Sequence, residues 1–178
     1  MSYIRYVIGI DPSGAFHEGK GTTGIAVYDR QEDKIVHIST VCASDYPTLE
    51  EYFMAHYVKI FKLRIEYQNA AVSIEDFLVY STHATTFTNS HMETCQLLGY
   101  LKTTLYVERI RCHLRPAAMV KKRWANDILA HKGYIKKVGA SCFHDCVNGP
   151  LATHMLDAIR HAVHCGKFEL EDEQCIVN

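Results

Sequence analysis

At 178 residues, 48% of them apolar and 22% charged, the chain is the size of one ordinary globular domain. It can build a core, is too small for two substantial lobes, and lacks the roughly 18–20-residue apolar run that a membrane span needs, so no membrane partner is expected. The net charge of −1 conceals a segregation: Arg109 to Lys137 holds nine basic residues against one acid, +8, and the remainder, with 10 basic and 19 acidic residues, is −9. A total near zero does not exclude a nucleic-acid partner, because phosphate binding responds to local charge through counterion release; a solvated helix face has the same composition.

The first pattern is three strands, Tyr3–Asp11, Thr23–Asp29 and Lys34–Cys42, joined by a glycine-bearing loop and the polar turn Arg30-Gln31-Glu32-Asp33, which reads as an antiparallel meander. Thr48 and Glu51 stand at capping-box spacing. Leu49, Tyr52, Phe53, His56, Tyr57, Ile60 and Leu63 then recur at helical intervals, predicting a helix from Thr48 to about Gln68. Strand four is Ala70–Ile74, followed by a polar stretch, Tyr80–Asn89, and a helix from about Ser90 to Val107. Strand five is Arg109–Leu114, and Pro116 suits the first turn of a helix from Ala117 to about Ala130. Lys132–Gly149 reads as irregular or short-helical, and Pro150 to about Cys165 as the last helix, with His161 and His164 on its exposed or packed side. An acidic, frayed tail is expected over Glu169–Asn178. The chain opens directly on a strand pattern, so no signal peptide is expected. Seven scattered cysteines, an odd number, suit reduced thiols in a cytoplasmic setting.

Three short stretches place acids or imidazole at the ends of these elements. Asp11 ends the apolar run Tyr6-Val7-Ile8-Gly9-Ile10, and Glu75 ends Ala70-Ala71-Val72-Ser73-Ile74. Both read as residues at the exit of a buried strand, the edge where open α/β sheets bind ligands. His154 and Asp157, three apart on a helix, share a face and can face the same cavity. Carboxylates with one imidazole form a hard donor set suited to Mg²⁺ or Mn²⁺. Plainer readings stay open: a turn aspartate before Pro12, a solvated strand end at Glu75, and a helix-surface pair at His154 and Asp157. Alternation turns Asp76 away from Glu75. Cys142-x-His144-x-Cys146 does not have the spacing of paired zinc knuckles.

The order βββαβαβαα, with these acids, resembles the RNase H-like superfamily and within it the RuvC family of Holliday junction resolvases, as a divergent or phage-type member. The resemblance spans roughly residues 4–165. It rests on Gly9-Ile10-Asp11-Pro12 followed by Thr23-Gly24, on Ile74-Glu75 followed by Phe77, and on His154-Met155-Leu156-Asp157-Ala158. The chain departs from the family in a longer loop, Ser13–Thr22, and in having Thr82–Ser90 where bacterial members are glycine-rich. The resemblance implies an RNase H-like α/β fold over residues 1–168, a mixed five-stranded sheet flanked by helices, with 169–178 as the tail. It implies a two-metal-ion endonuclease that resolves four-way DNA junctions, with two Mg²⁺ (or Mn²⁺) held by Asp11, Glu75 and Asp157 and with His154 as a further ligand or water-orienting base. DNA would be contacted by Arg115, Lys121, Lys122 and Arg123, and by the aromatics Phe77 and Tyr80, which could stack on an unpaired base. Paired cuts imply a homodimer, with Met92, Leu98 and Leu101 of the 90–107 helix as contact candidates. The alternatives are an RNase H or flap nuclease of the superfamily, and a DNA-binding module that keeps the fold without cleaving. An actin-like ATPase, suggested by Asp11-Pro12-Ser13-Gly14, needs a second domain that this length does not allow.

Overall fold

The computed structural model describes residues 3–76 and 92–170. Strands β1 (Tyr6–Asp11), β2 (Thr22–Asp29) and β3 (Lys34–Cys42) form the expected meander, a 3₁₀ turn (Ala43–Asp45) leads to α1 (Leu49–Glu66), and β4 (Ala71–Asp76) follows. Then come α2 (Glu93–Val107), β5 (Cys112–Pro116), α3 (Ala117–Arg123), α4 (Asn126–His131), the hairpin β6 (Lys136–Val138) and β7 (Ser141–Phe143), and α5 (Thr153–His164), which runs on into a π-helical turn, Cys165–Glu169. The main sheet has the order β3-β2-β1-β4-β5, antiparallel across β3-β2-β1 and parallel across β1-β4-β5. It is the expected mixed five-stranded sheet. Among the described residues no helix is long and apolar enough to cross a membrane.

Strand alternation divides the core into two layers. Ile8 and Ile10 of β1, Ile25 and Val27 of β2, and Val72 and Ile74 of β4 point to one face, where Ile60 and Leu63 of α1 and Leu97, Leu101 and Leu105 of α2 cover them. The other face carries Ala26 and Tyr28, and is covered by Ala158, Ile159, Ala162 and Val163 of α5 with Val120, Trp124, Leu129 and Tyr134. Each such large side chain, fully buried, contributes about 1.5–3 kcal/mol. Thr48 caps α1 by accepting the Glu51 N–H at 3.2 Å, the capping contact read from the sequence. By the same alternation Gly9 and Asp11, and Ser73 and Glu75, face α5 rather than α1 and α2. This parity decides where the acids point.

Several expectations need correction. The helix expected from Ala117 to Ala130 is two helices. Trp124 is buried against Tyr134 and Phe168 and its carbonyl accepts from Arg160 Nε at 2.9 Å, while Ala125 is extended, so the chain turns there instead of continuing. The segment expected to be irregular contains the β6–β7 hairpin, which turns at Gly139 with φ +61°. Glu169 and Leu170, which the sequence pattern assigns to the tail, are buried, and 171–178 lie outside the described residues. Of the proposed dimer contacts, Leu98 and Leu101 are buried in the chain's own core, and only Met92 is exposed.

Candidate active site

Asp11 is the last residue of β1 and Glu75 the next to last of β4, on neighbouring parallel strands whose last paired residues are Ile10 and Ile74. Asp157 sits one turn into α5, which crosses the sheet on the face to which both acids point. A carboxylate oxygen from each of the three lies within 4.8 Å of the others. The close crossing of α5 is set by two glycines. A methyl group at Gly9 would overlap Ala158 O and Ala162 N, and one at Gly24 would overlap His154 O. The glycines of the Gly9-Ile10-Asp11 and Thr23-Gly24 motifs thus let the helix backbone lie directly on β1 and β2, which brings Asp157 down to the strand ends.

His154 joins this group through Asp11, its Nδ1 lying 2.6 Å from Asp11 Oδ2. The hydrogen bond to Asp11 raises the His154 imidazole above its ordinary pKa against a smaller opposing effect of burial. Burial raises the Asp11 carboxyl; the His154 bond opposes this, while the charges of Glu75 and Asp157 add to it. Asp157 is held from two sides, by Arg160 within α5 and by Lys121 Nζ of α3 at 2.8 Å. Burial pulls the Lys121 ammonium down, but the bond to Asp157 and the charges of Glu75 and Asp11 leave it above its usual value. Arg160 is itself fixed by the Trp124 carbonyl and by Asn126 Oδ1. Among the described residues Glu75 Oε2 is buried without a hydrogen bond, and His161 Nε2 lies 3.3 Å away as an ion-pair neighbour.

Behind Asp11 a buried network fixes the turn that follows it. Ser13 N–H donates to Thr23 Oγ1 at 3.0 Å, Thr23 Oγ1 lies 2.7 Å from His56 Nε2, and His56 Nδ1 lies 2.7 Å from the Tyr52 carbonyl. Tyr52 OH returns to the Ser13 carbonyl at 2.5 Å. The partners assign the tautomer: Nδ1–H donates to Tyr52 O, so Nε2 accepts the Thr23 hydroxyl proton. Burial holds His56 down at about 4. A histidine whose pKa falls on folding stays neutral in the native state while the unfolded chain takes up the proton. Its contribution to stability is therefore complete above pH 6.5 and is lost as pH falls from 6.5 to about 4, by about 3 kcal/mol. Urea unfolding at pH 7 and pH 4.5 should show this loss in the wild type, and a smaller pH dependence in His56→Gln. An equal pH dependence in the two proteins would remove His56 as its source.

The loop Ser13–Thr22 is tied down at its start by α2: Glu93 accepts the Phe16 N–H at 2.7 Å and pairs with His17, and Gly14 N–H donates to Thr94 Oγ1 at 3.0 Å. Of the residues expected to contact DNA, Lys121, its side chain 45% exposed, turns its ammonium to Asp157 of the acid cluster. Arg115 Nε is engaged by Glu169 at 2.6 Å. Lys122 is exposed, and the Arg123 guanidinium stacks on Phe168 at 3.7 Å. Arg115, Lys122, Arg123, His164, Phe168 and Glu169 line one open groove. Phe77 and Tyr80 lie outside the described residues. Cys142, His144 and Cys146 do not converge: Cys142 is buried, Cys146 exposed, and among the described residues they form no three-donor group.

Sequence reasoning missed Arg160, His161 and Glu169. His161 was within reach, because 154, 157 and 161 follow helical spacing along one face; the partner of Arg160 and the fold-back of Glu169 had no local signal.

No protein-family model and no curated protein matches the chain. Among solved structures it is similar to Thermus thermophilus RuvC in complex with a Holliday junction substrate, with TM-score 0.66, 15% identity, and 97% of this chain and 96% of that chain covered. A second structure of Thermus thermophilus RuvC gives TM-score 0.60 and 14% identity, covering 96% of each chain. Over almost its whole length, the chain therefore has the RNase H-like fold of RuvC.

Proposed function

We propose that the chain is a metal-dependent endonuclease that resolves four-way DNA junctions by paired phosphodiester hydrolysis. The observation that carries this reading is the convergence of Asp11, Glu75 and Asp157 at the strand ends of a RuvC fold, with Lys121 against the same acids. The donor set fits hard divalent ions: all three donors are carboxylates, Glu75 Oε2 lacks a hydrogen bond among the described residues, and burial together with the charges of Glu75 and Asp157 raises the Asp11 carboxyl. Asp11, Glu75 and Asp157 would hold two Mg²⁺ or Mn²⁺ ions, which supply an activated water and stabilise charge on the phosphoryl and leaving oxygens.

The chain's own groups then divide the remaining work. Arg160 and Lys121 fix the orientation of Asp157, and Lys121 offers positive charge to the phosphate at that point. His154, half-buried and bound to Asp11 through Nδ1, holds that carboxylate in place. The groove containing Lys122 and Arg123 would carry the backbone on either side of the cut. A four-way junction has approximate two-fold symmetry, and two cuts on strands of like polarity need two such sites, so the active species is a homodimer.

The deciding experiment compares a mobile four-way junction, a flap, a linear duplex and an RNA–DNA hybrid with Mg²⁺ present. Symmetrical cuts in the junction are expected, with far slower turnover of the other three. Preferential cutting of the hybrid would assign an RNase H, preferential cutting of the flap a flap nuclease, and tight junction binding without cutting a non-cleaving module. In the same assay Lys122→Ala should lower junction affinity and reduce the slope of log K against log salt by about one for the lost phosphate contact.

A further inference from the structure

A second group of metal-ligating side chains lies outside the acid cluster, where the π-helical turn meets β5. Cys165 Sγ, an imidazole nitrogen of His113 and a carboxylate oxygen of Glu169 all lie within 4.8 Å of one another. His164 Nε2 stands 3.7 Å from the same carboxylate. Cys165 is fully buried, and the side chains of His113, His164 and Glu169 are 11%, 8% and 7% exposed. We propose that His113, Cys165 and Glu169, with His164 beside them, form a zinc site that ties the end of α5 to the edge strand β5.

The chemistry of the donors separates this group from the first. A thiolate and imidazoles are soft or borderline ligands that select Zn²⁺, whereas the all-carboxylate cluster at Asp11 suits Mg²⁺ or Mn²⁺. Two further observations point to a ligand. Among the described residues both Glu169 carboxylate oxygens are buried with ion-pair neighbours but no hydrogen bond from a nitrogen or oxygen donor, and His113 Nε2 and His164 Nδ1, the ring nitrogens not facing Glu169, are buried without one, which is costly for groups that serve only as packing. The helix also widens into a π turn over Cys165–Glu169, a rare geometry often found at functional positions, and this turn presents Cys165 and Glu169 to His113 across the strand.

The arrangement around Glu169 is that of an oriented ligand. Arg115 Nε holds Oε1 at 2.6 Å, while Oε2 faces His113 Nδ1 at 2.9 Å. A charged neighbour that fixes one oxygen leaves the other aimed into the cluster, as the outer partners of ligating carboxylates do. The rival account is a buried ion network in which Glu169 only pairs with Arg115 and a protonated His113. In that account the Cys165 thiol only donates a hydrogen bond to Glu169. The account predicts no stoichiometric metal and no thiolate ligation.

The site would act through the scaffold. β5 pairs with β4, which carries Glu75, and α5 carries Asp157, so a tie between β5 and the end of α5 fixes two elements that deliver the acids. It does not depend on the nuclease reading.

The test uses the full-length protein stripped of metal with a chelator and titrated with ZnCl₂, or with CoCl₂ as an optical probe. The wild type should bind one Zn²⁺ per chain at this site, melt at a higher temperature when loaded, and show a thiolate-to-cobalt charge-transfer band with Co²⁺. Cys165→Ser should lose the band, and both it and His113→Ala should weaken Zn²⁺ binding at least about 10-fold. Asp11→Asn should leave the band and the affinity unchanged, which separates this result from any failure of the nuclease assay. If Cys165→Ser does not fold by circular dichroism, His113→Ala decides. No binding of Zn²⁺, or affinity unchanged in the folded variants, or a cobalt band that survives Cys165→Ser, overturns the proposal.

Discussion

Asp11→Asn, Glu75→Gln and Asp157→Asn should each lower metal-dependent junction cleavage by more than about 10²-fold, since even loss of a residue that merely supports a metal ligand costs about 10- to 100-fold. Junction affinity measured without cleavage should change little, because the groove that holds Lys122 and Arg123 is untouched. The three variants should differ in stability, for reasons visible in their neighbours. At Asp11, burial and two nearby carboxylates oppose ionisation, so a neutral amide relieves repulsion and Asp11→Asn should melt no lower than the wild type. Asp157 neutralises Arg160, whose side chain is 11% exposed. Removing that charge leaves a buried cation without its partner, a loss of about 3–5 kcal/mol for such a pair. Asp157→Asn should therefore lose stability as well as activity. His154→Ala should reduce turnover less than any of the three, since the histidine acts through Asp11. Turnover near the wild-type rate in all three carboxylate variants would remove this cluster from consideration as the active site.

Gly9→Ala should destabilise the protein by about 3 kcal/mol, or by more, because the added methyl meets main-chain atoms of α5 rather than flexible side-chain ends. For a chain of this size that corresponds to a fall in melting temperature of about 6–12 °C. Gly24→Ala should be comparable, since its methyl overlaps the His154 carbonyl at the start of α5. Relief in either variant requires α5 to lift from the sheet, which moves Asp157 away from Asp11 and Glu75. Cleavage should therefore fall even at temperatures where the variant remains folded. Gly99 is the internal control. It lies on the exposed side of α2 with open space around its Cα, and Gly99→Ala should raise stability by about 0.5–1 kcal/mol. Equal melting temperatures for Gly9→Ala and the wild type would show that α5 does not bear on β1 so closely.

The elements that were legible in the sequence are those written in local periodicity. Alternation over a few residues gave β1 to β4, with β3 at Lys34–Cys42 and the others shifted at one or both ends. The capping pair Thr48 and Glu51 with a 3.6-residue repeat gave α1. Acids at strand ends were legible for the same reason, as were Asp157 and His154 on one helix face. Where a boundary depended on a distant group, the local pattern failed. The helical stretch after Pro116 breaks at Trp124 because Arg160, 36 residues away, takes its carbonyl. Glu169 looked like the start of an acidic tail because His113 and Arg115, its partners, lie on β5 more than 50 residues earlier.

By itself, then, the sequence determined the order of the five sheet strands and of the helices between them up to Pro116, and the candidates Asp11, Glu75, His154 and Asp157. Only the tertiary structure decided that three carboxylates converge, that Lys121 joins them rather than lining the outer groove, and that His161 stands behind Glu75. It also decided that Leu98 and Leu101 are spent on the chain's own core. The physical reason is the range of the interactions. Backbone propensity and burial parity act over a turn or a strand, and are recorded in neighbouring residues. The partner of a buried charge is chosen by whatever polar group the packed sheet and helix bring within about 3 Å, and that choice exists only once Gly9 and Gly24 have let α5 down onto β1 and β2.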